Sequence, residues 1–190
     1  MKISKGTKLL ILGTVLVIIV QAIKYLVKTN MELGEQIFVI GQWFRLCFVE
    51  NEGMAFGMKF GGSVGKFCLS LFRILLSGFL IWYIARLSRR KDTPTGVLVG
   101  LTLITAGALG NIVDCLFYGL VWDYAPLMFG KVVDMFYFPI IRSGEKVLFF
   151  NPVFNFADSC VTCGAFYLVL FQWKFFSSSD KEKKSQSQLR

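Results

Sequence analysis

Of the 190 residues, 55% are hydrophobic and 17% charged, and the mean hydropathy is +0.60, so polar side chains are too few to cover a soluble globule and the composition points to a polytopic membrane protein. The formal charge of +9 does not indicate nucleic acid, because the basic residues sit between and outside the apolar runs, where the positive-inside rule predicts them. The chain has no histidine, which excludes Ser-His-Asp and Cys-His arrangements and His-bearing zinc sites and leaves acid–base chemistry to Asp, Glu, Lys, Tyr or Cys.

Lys2, Lys5 and Lys8 precede a mostly apolar stretch at 9–27. No small-residue cleavage signal follows it, so it is read as an uncleaved first transmembrane helix with its N-terminus in the cytoplasm. Lys24, near the far end, is expected to snorkel to the interface. Residues 28–65 scatter charges among β-prone residues. The runs 36–40 and 44–49 predict strands, and Asn51-Glu52-Gly53 a turn, of a small extracytoplasmic sheet on the outer membrane surface.

The stretch 67–87 makes a second span, with Arg73 near its outer end, and Arg86, Arg89, Arg90 and Lys91 follow in a short cytoplasmic loop that ends at Pro94. A third span over 95–118 returns outward, and Gly96, Gly100, Gly107 and Gly110 give it small faces for close packing. Its polar residues come late. Asn111 and Asp114 lie about 24 to 29 Å from its start, close to the outer hydrocarbon boundary, and three residues apart they share a face.

Residues 119–152 are expected to form an extracytoplasmic loop or helix segment at the interface, carrying Trp122, Tyr124 and Tyr137 and holding Asp134 in an apolar patch. A fourth span over 154–176 enters from outside, with Asn155 and Asp158 on one face of its first turns. Residues 177–190, rich in Ser, Lys and Gln, are expected to be a disordered cytoplasmic tail. The predicted fold is thus a single α-helical membrane domain over 1–176, with four transmembrane helices and both termini cytoplasmic.

Asn111, Asp114, Asp134, Asn155 and Asp158 all fall at one depth. An ionised Asp costs about 2.5 to 3.5 kcal/mol at the centre of a membrane helix, so such residues persist where a partner or a reaction requires them. Two aspartates close together in a low-dielectric site cannot both ionise, and the pair can act as general base and general acid on a shared water. An ion-coupled transporter or a membrane assembly factor with intramembrane Asp residues would share this pattern, although the chain shows no internal repeat of the kind transporter halves often carry. Cys160-x-x-Cys163 has redox or zinc spacing but no paired partner ligands, and is read as two small packing residues. No metal or cofactor is expected.

Four motifs carry a resemblance: Asn51-Glu52-Gly53-Met54-Ala55-Phe56, Gly110-Asn111-Ile112-Val113-Asp114, Val132-Val133-Asp134-Met135, and Phe154-Asn155-Phe156-Ala157-Asp158-Ser159. In this order and approximate spacing they resemble the lipoprotein signal peptidases, the type II signal peptidase family. The resemblance implies that Asp134 and Asp158 are a catalytic dyad and that Asn51, Gly53, Asn111, Asp114 and Asn155 position the dyad and the substrate. It implies cleavage of signal peptides on the N-terminal side of a diacylglyceryl-modified cysteine in bacterial prolipoproteins, by a monomer in the bacterial inner membrane in contact with membrane lipids. The chain departs from the family pattern twice. Cys115 stands where the family usually has Arg after G-N-x-x-D, and Val20 stands where it usually has Asp before Gln21.

Overall fold

The computed structural model describes residues 3–52, 62–143, 146–149 and 152–177. Gly53, the run that follows it and the tail at 178–190 lie outside these residues. Three helices are long and apolar enough to cross a membrane: α1 (Lys5–Asn30), α2 (Gly62–Ser88) and α3 (Thr95–Val121). The fourth, α4 (Phe156–Phe171), has 16 residues, about 24 Å at the usual rise and short of a hydrocarbon core of about 30 Å. The single span expected over 154–176 is therefore interrupted. Asn155 caps the helix at one end, Gln172 leaves the helical region at the other with φ −119° and ψ 6°, and a separate helical turn occupies 173–177.

The helices are organised around α3, whose apolar window is 61% buried against 17% for α1 and 11% for α2. Lipid tails are as apolar as leucine, so close packing between small residues holds such helices together. A side chain at Gly107 would strike the Ala157 carbonyl oxygen of α4, and a Cβ at Gly110 would lie 2.7 Å from Val20 Cγ1 of α1. These approaches draw α1 and α4 onto the part of α3 that carries Asn111 and Asp114. Leu9, Leu87, Val97, Leu98, Leu101 and Leu168 close the opposite end. Large apolar side chains such as Leu10, Ile18, Phe72 and Leu75 are exposed along α1 and α2, as expected where the solvent is lipid.

Strands β1 (Gln36–Ile40) and β2 (Phe44–Asn51) pair antiparallel at the two predicted β-prone runs. They are joined by β3 (Val132–Tyr137) and β6 (Val153–Phe154) in the order β1-β2-β3-β6, with β4 (Ile141–Ser143) and β5 (Lys146–Phe149) as a separate hairpin. The loop or helix segment expected over 119–152 thus contains three strands among its described residues. Val132, Val133, Met135, Phe136 and Tyr137 are β-branched, long or aromatic, and a third strand buries them where an isolated interfacial segment would not. Val27 of α1, Phe48 of β2, Tyr118 of α3 and Val133 and Met135 of β3 form one buried cluster that fixes the sheet to the helix ends.

Candidate active site

Register places the first carboxylate. β2 runs antiparallel to β3 with Val49 opposite Asp134 and Asn51 opposite Val132, so Asn51 and Asp134 are diagonal neighbours on one sheet face. Asn51 Nδ2 donates to Asp134 Oδ2 at 3.1 Å. On the other side β3 pairs with β6, Phe136 opposite Phe154, and the next residue, Asn155, is the N-cap of α4. A two-residue strand thereby sets the start of a membrane helix beside Asp134.

The cap is a reciprocal one. Asn155 Oδ1 accepts from the Ala157 and Asp158 backbone N–H groups at 2.8 and 3.2 Å, and the Asn155 backbone N–H donates to Asp158 Oδ2 at 3.0 Å, which satisfies helix-terminal donors in the manner of a capping box. The Asn155 amide nitrogen is left to point away from the helix. Nδ2 donates to Asp134 Oδ1 at 2.6 Å and to Asn111 Oδ1 at 3.1 Å, while Asn111 Nδ2 donates to Asp158 Oδ1 at 2.9 Å. Asp134 and Asp158 are thus bound through one residue, Asn155, which is fully buried.

Asp134 is 3% exposed. Burial pushes its carboxyl up to about 6; the hydrogen bond from Asn155 opposes this, the charge of Asp158 adds to it, and Asn51 and Lys24 oppose it further. The site therefore favours a proton on Asp134 well above the range of a free aspartate.

Asp114 has a different role. Lys24 Nζ lies 2.6 Å from Asp114 Oδ2, both side chains almost wholly buried, and Gln21 Nε2 donates to Asp114 Oδ1 at 3.1 Å. The Val133 backbone N–H donates to Asp114 Oδ2 at 3.0 Å, so this carboxylate ties α1, α3 and β3 together. Lys24 also donates to Asn111 Oδ1 at 2.7 Å. Lys24 thus turns inward, contrary to the expectation that it snorkels: with 1% exposure it supplies the charge that a buried carboxylate needs. The signal was present in Gln21 and Lys24, which share a helix face at i, i+3, but their partners are about ninety residues away in sequence.

Asp114 also opens a feature that hydropathy gave no means to find, a π-helical turn over Asp114–Tyr118. Such turns widen the helical ladder and leave carbonyls to be satisfied from outside. Here the Gly130 N–H donates to Cys115 O at 2.9 Å and the Met128 N–H to Leu116 O at 3.2 Å. A Cβ at Gly130 would collide with the Asp114 carbonyl oxygen, so only glycine permits this approach. Cys115 is 2% exposed, and Arg73 Nη1 of α2 donates to its Sγ at 3.2 Å. A guanidinium therefore reaches this turn from α2 instead of from position 115. Val20 leaves no gap in α1: it is fully buried against Gly110. Of the predicted site residues, Asn51, Asn111, Asp114, Asp134, Asn155 and Asp158 form one connected network, and Gly53 is outside the described residues. Cys160 is a buried free thiol and Cys163 an exposed one.

Residues 12–174 match the model of the family described as signal peptidase (SPase) II. A lipoprotein signal peptidase of Porphyromonas gingivalis is 40% identical over 194 residues, covering 89% of this chain and 84% of its own length. One of Amoebophilus asiaticus is 35% identical over 171 residues, covering 81% and 72%. Among solved structures, a bacterial membrane enzyme determined by the in meso method at 2.3 Å resolution superposes with a TM-score of 0.63 over 90% of each chain at 24% identity; at that identity the likeness concerns the fold.

Proposed function

We infer, from the premise that this chain belongs to the signal peptidase II family, that Asp134 and Asp158 are the catalytic pair of a membrane-embedded lipoprotein signal peptidase. The enzyme is an aspartic peptidase that removes signal peptides from prolipoproteins. The observation that supports the assignment of the pair is the bridge through Asn155, whose side chain holds Asp134 at 2.6 Å while its backbone N–H holds Asp158 at 3.0 Å. Burial and the charge of Asp158 both favour a proton on Asp134, which suits it to the role of the protonated member.

The ionised member takes a proton from a water as its oxygen attacks the scissile carbonyl carbon, and the protonated member gives its proton to the carbonyl oxygen. The resulting diol collapses as the C–N bond breaks: the nitrogen takes a proton from the first carboxyl, and one diol hydroxyl returns its proton to the second, which leaves the new carboxyl terminus and both acids in their starting states. Asn111 and Asn155 hold both acids in place, and Asn51 orients Asp134. The Lys24–Asp114 pair fixes α1, α3 and β3 around them and takes no part in proton transfer.

The finer reading extends to topology and substrate. The helix at 173–177 completes a fourth crossing begun by α4, so both termini lie in the cytoplasm of a cell whose inner membrane holds the enzyme as a monomer surrounded by lipid. The pair then lies near the extracytoplasmic face, where water enters from outside and a lipid-anchored substrate from the side. The bond cut is that on the N-terminal side of a diacylglyceryl-modified cysteine. The test is to present purified protein with one lipobox peptide in diacylated and unlipidated forms and to locate the cut by mass spectrometry. Cleavage before the cysteine of the diacylated peptide alone is expected; equal cleavage of both, or cleavage elsewhere, overturns the substrate reading.

A further inference from the structure

At the end of the helices opposite the carboxylate pair, α1 and α2 lean on α3 but scarcely touch one another. The gap is an apolar groove of about 550 Å³, within the usual range for a small-molecule site. Thr102 and Ala106 of α3 line its floor, Gly13 of α1 and Ile84 of α2 its walls, and Ser88 and Arg89 its mouth. The Thr102 hydroxyl donates to the Leu98 carbonyl of its own helix at 2.8 Å, so the floor offers no free donor from that residue.

The chain around the mouth is rich in positive charge. Arg89 lines it, Lys5 and Lys8 flank the lining residues Gly6 and Leu9 in sequence, and Arg86, Arg90 and Lys91 flank Ser88 and Arg89, with Asp92 the nearby acid. Arg90 is paired with Asp92 at 3.3 Å and Arg86 stacks on Trp82 with its guanidinium 5.6 Å from the ring. Among the described residues Arg89, Lys5 and Lys8 have no acidic partner. An apolar trough ending in unpaired cations matches a molecule with a long apolar chain and an anionic head. The tail at 178–190 is excluded as occupant on charge, since Lys181, Lys183, Lys184 and Arg190 outnumber Asp180 and Glu182; so is a signal peptide, whose leading segment is basic.

We propose that this groove binds an anionic glycerophospholipid, with one acyl chain between α1 and α2 over α3 and the headgroup phosphate against Arg89. Basic pockets between membrane helices hold such headgroups. The site is separate from the peptidase centre and does not rest on its assignment.

The test uses the full chain in neutral detergent, melted with phosphatidylglycerol, with phosphatidylcholine of the same chains, and with inorganic phosphate. Phosphatidylglycerol should raise the melting temperature by about 3 °C or more above either control. Arg89→Gln should abolish the difference between the two lipids and leave peptidase turnover unchanged. Gly13→Leu should also abolish it, because a Cβ there meets Thr102 Cγ2 at an ordinary 3.5 Å and the rest of the side chain fills the trough. Equal effects of the two lipids, an equal effect of inorganic phosphate, or an undiminished difference in Arg89→Gln would each overturn the proposal. Arg89 is exposed on the surface, so its substitution leaves the fold intact and reads out the lipid preference even where the leucine variant fails to fold.

Discussion

Asp114 and Asp134 are both buried, at 0% and 3% exposure, and both sit in the same network, yet their surroundings assign them opposite work. Asp114 faces a lysine nitrogen at 2.6 Å, a glutamine amide at 3.1 Å and a backbone N–H at 3.0 Å. Asp134 receives two neutral amides, from Asn155 at 2.6 Å and Asn51 at 3.1 Å. A formal cation in contact ties a carboxyl group to its neighbours and makes it a fastener. Neutral donors hold a carboxyl in place and leave its proton free to come and go. What separates the two acids is therefore the charge of the nearest partner, since burial is common to both, and the neutral surroundings of Asp134 suit the role proposed for it in proton transfer.

If that contrast is right, removing the proton from the chemistry and removing the fastener must fail in different assays. Asp134→Asn and Asp158→Asn keep the size and hydrogen-bonding shape of the site but cannot exchange a proton near neutral pH. Each should lower turnover of a diacylated substrate by at least about 10²- to 10⁴-fold with the protein still folded. The double variant should be scarcely worse than either single one, because the pair acts as a unit. Near-normal turnover by either single variant rules out the dyad.

Lys24→Met should act on stability instead. It strands a buried carboxylate without its cation, a change that destabilises by about 3 to 5 kcal/mol. Asp114→Asn strands the lysine in the same way. The combined Lys24→Met, Asp114→Asn protein should recover much of the lost melting temperature, since neither charge is then left alone. Additive losses in the double variant would mean that the two groups are not a pair.

How much of this was legible beforehand follows from the same distinction. Hydropathy and basic loops located the three long helices, and lone aspartates in apolar runs marked residues that the fold draws into one hydrogen-bonded network. The β-branched and aromatic run at 36–40 and 44–49 located two strands. Val132 to Tyr137 has equally strong strand composition, but it lies eighty residues from its partner β2, and pairing at that distance leaves no local trace. Lys24 was misread for a related reason. Snorkelling depends only on depth, which the sequence gives, whereas an inward lysine depends on an aspartate from another helix. The π turn at Asp114 and the arrival of Arg73 at Cys115 are likewise products of packing.

A titration sharpens the comparison further. Folding raises the Asp134 carboxyl from an ordinary 3.8 to about 6, so between those values the folded state binds more proton than the unfolded one. Stability associated with this group is then fully present below about pH 4 and is lost as pH rises through about 6. The difference of about two units corresponds to about 3 kcal/mol. Asp134→Asn should remove this loss, so that its melting temperature gains on the parent from pH 4 to pH 8 even as its turnover vanishes. A pH dependence unchanged by the substitution would show that Asp134 does not carry the shifted proton.

The smallest expected effect isolates a single neutral donor. Asn51 Nδ2 lies 3.1 Å from Asp134 Oδ2, and a hydrogen bond to a carboxylate favours its ionised form. Asn51→Ala removes that support, so Asp134 should hold its proton to higher pH. A hydrogen bond to a charged group contributes about 1.5 to 3 kcal/mol, but Asn51 is only partly buried and water can replace part of its donation. The alkaline limb of kcat/KM, which reports the free enzyme, should consequently move up by less than about one pH unit, with the maximal rate lowered less than in either aspartate variant. A downward move would mean that Asn51 acts on the protonated form, as an acceptor, and that its amide is turned the other way. An unmoved limb with a raised KM would make Asn51 a substrate contact, and the neutral cage of Asp134 would then rest on Asn155 alone.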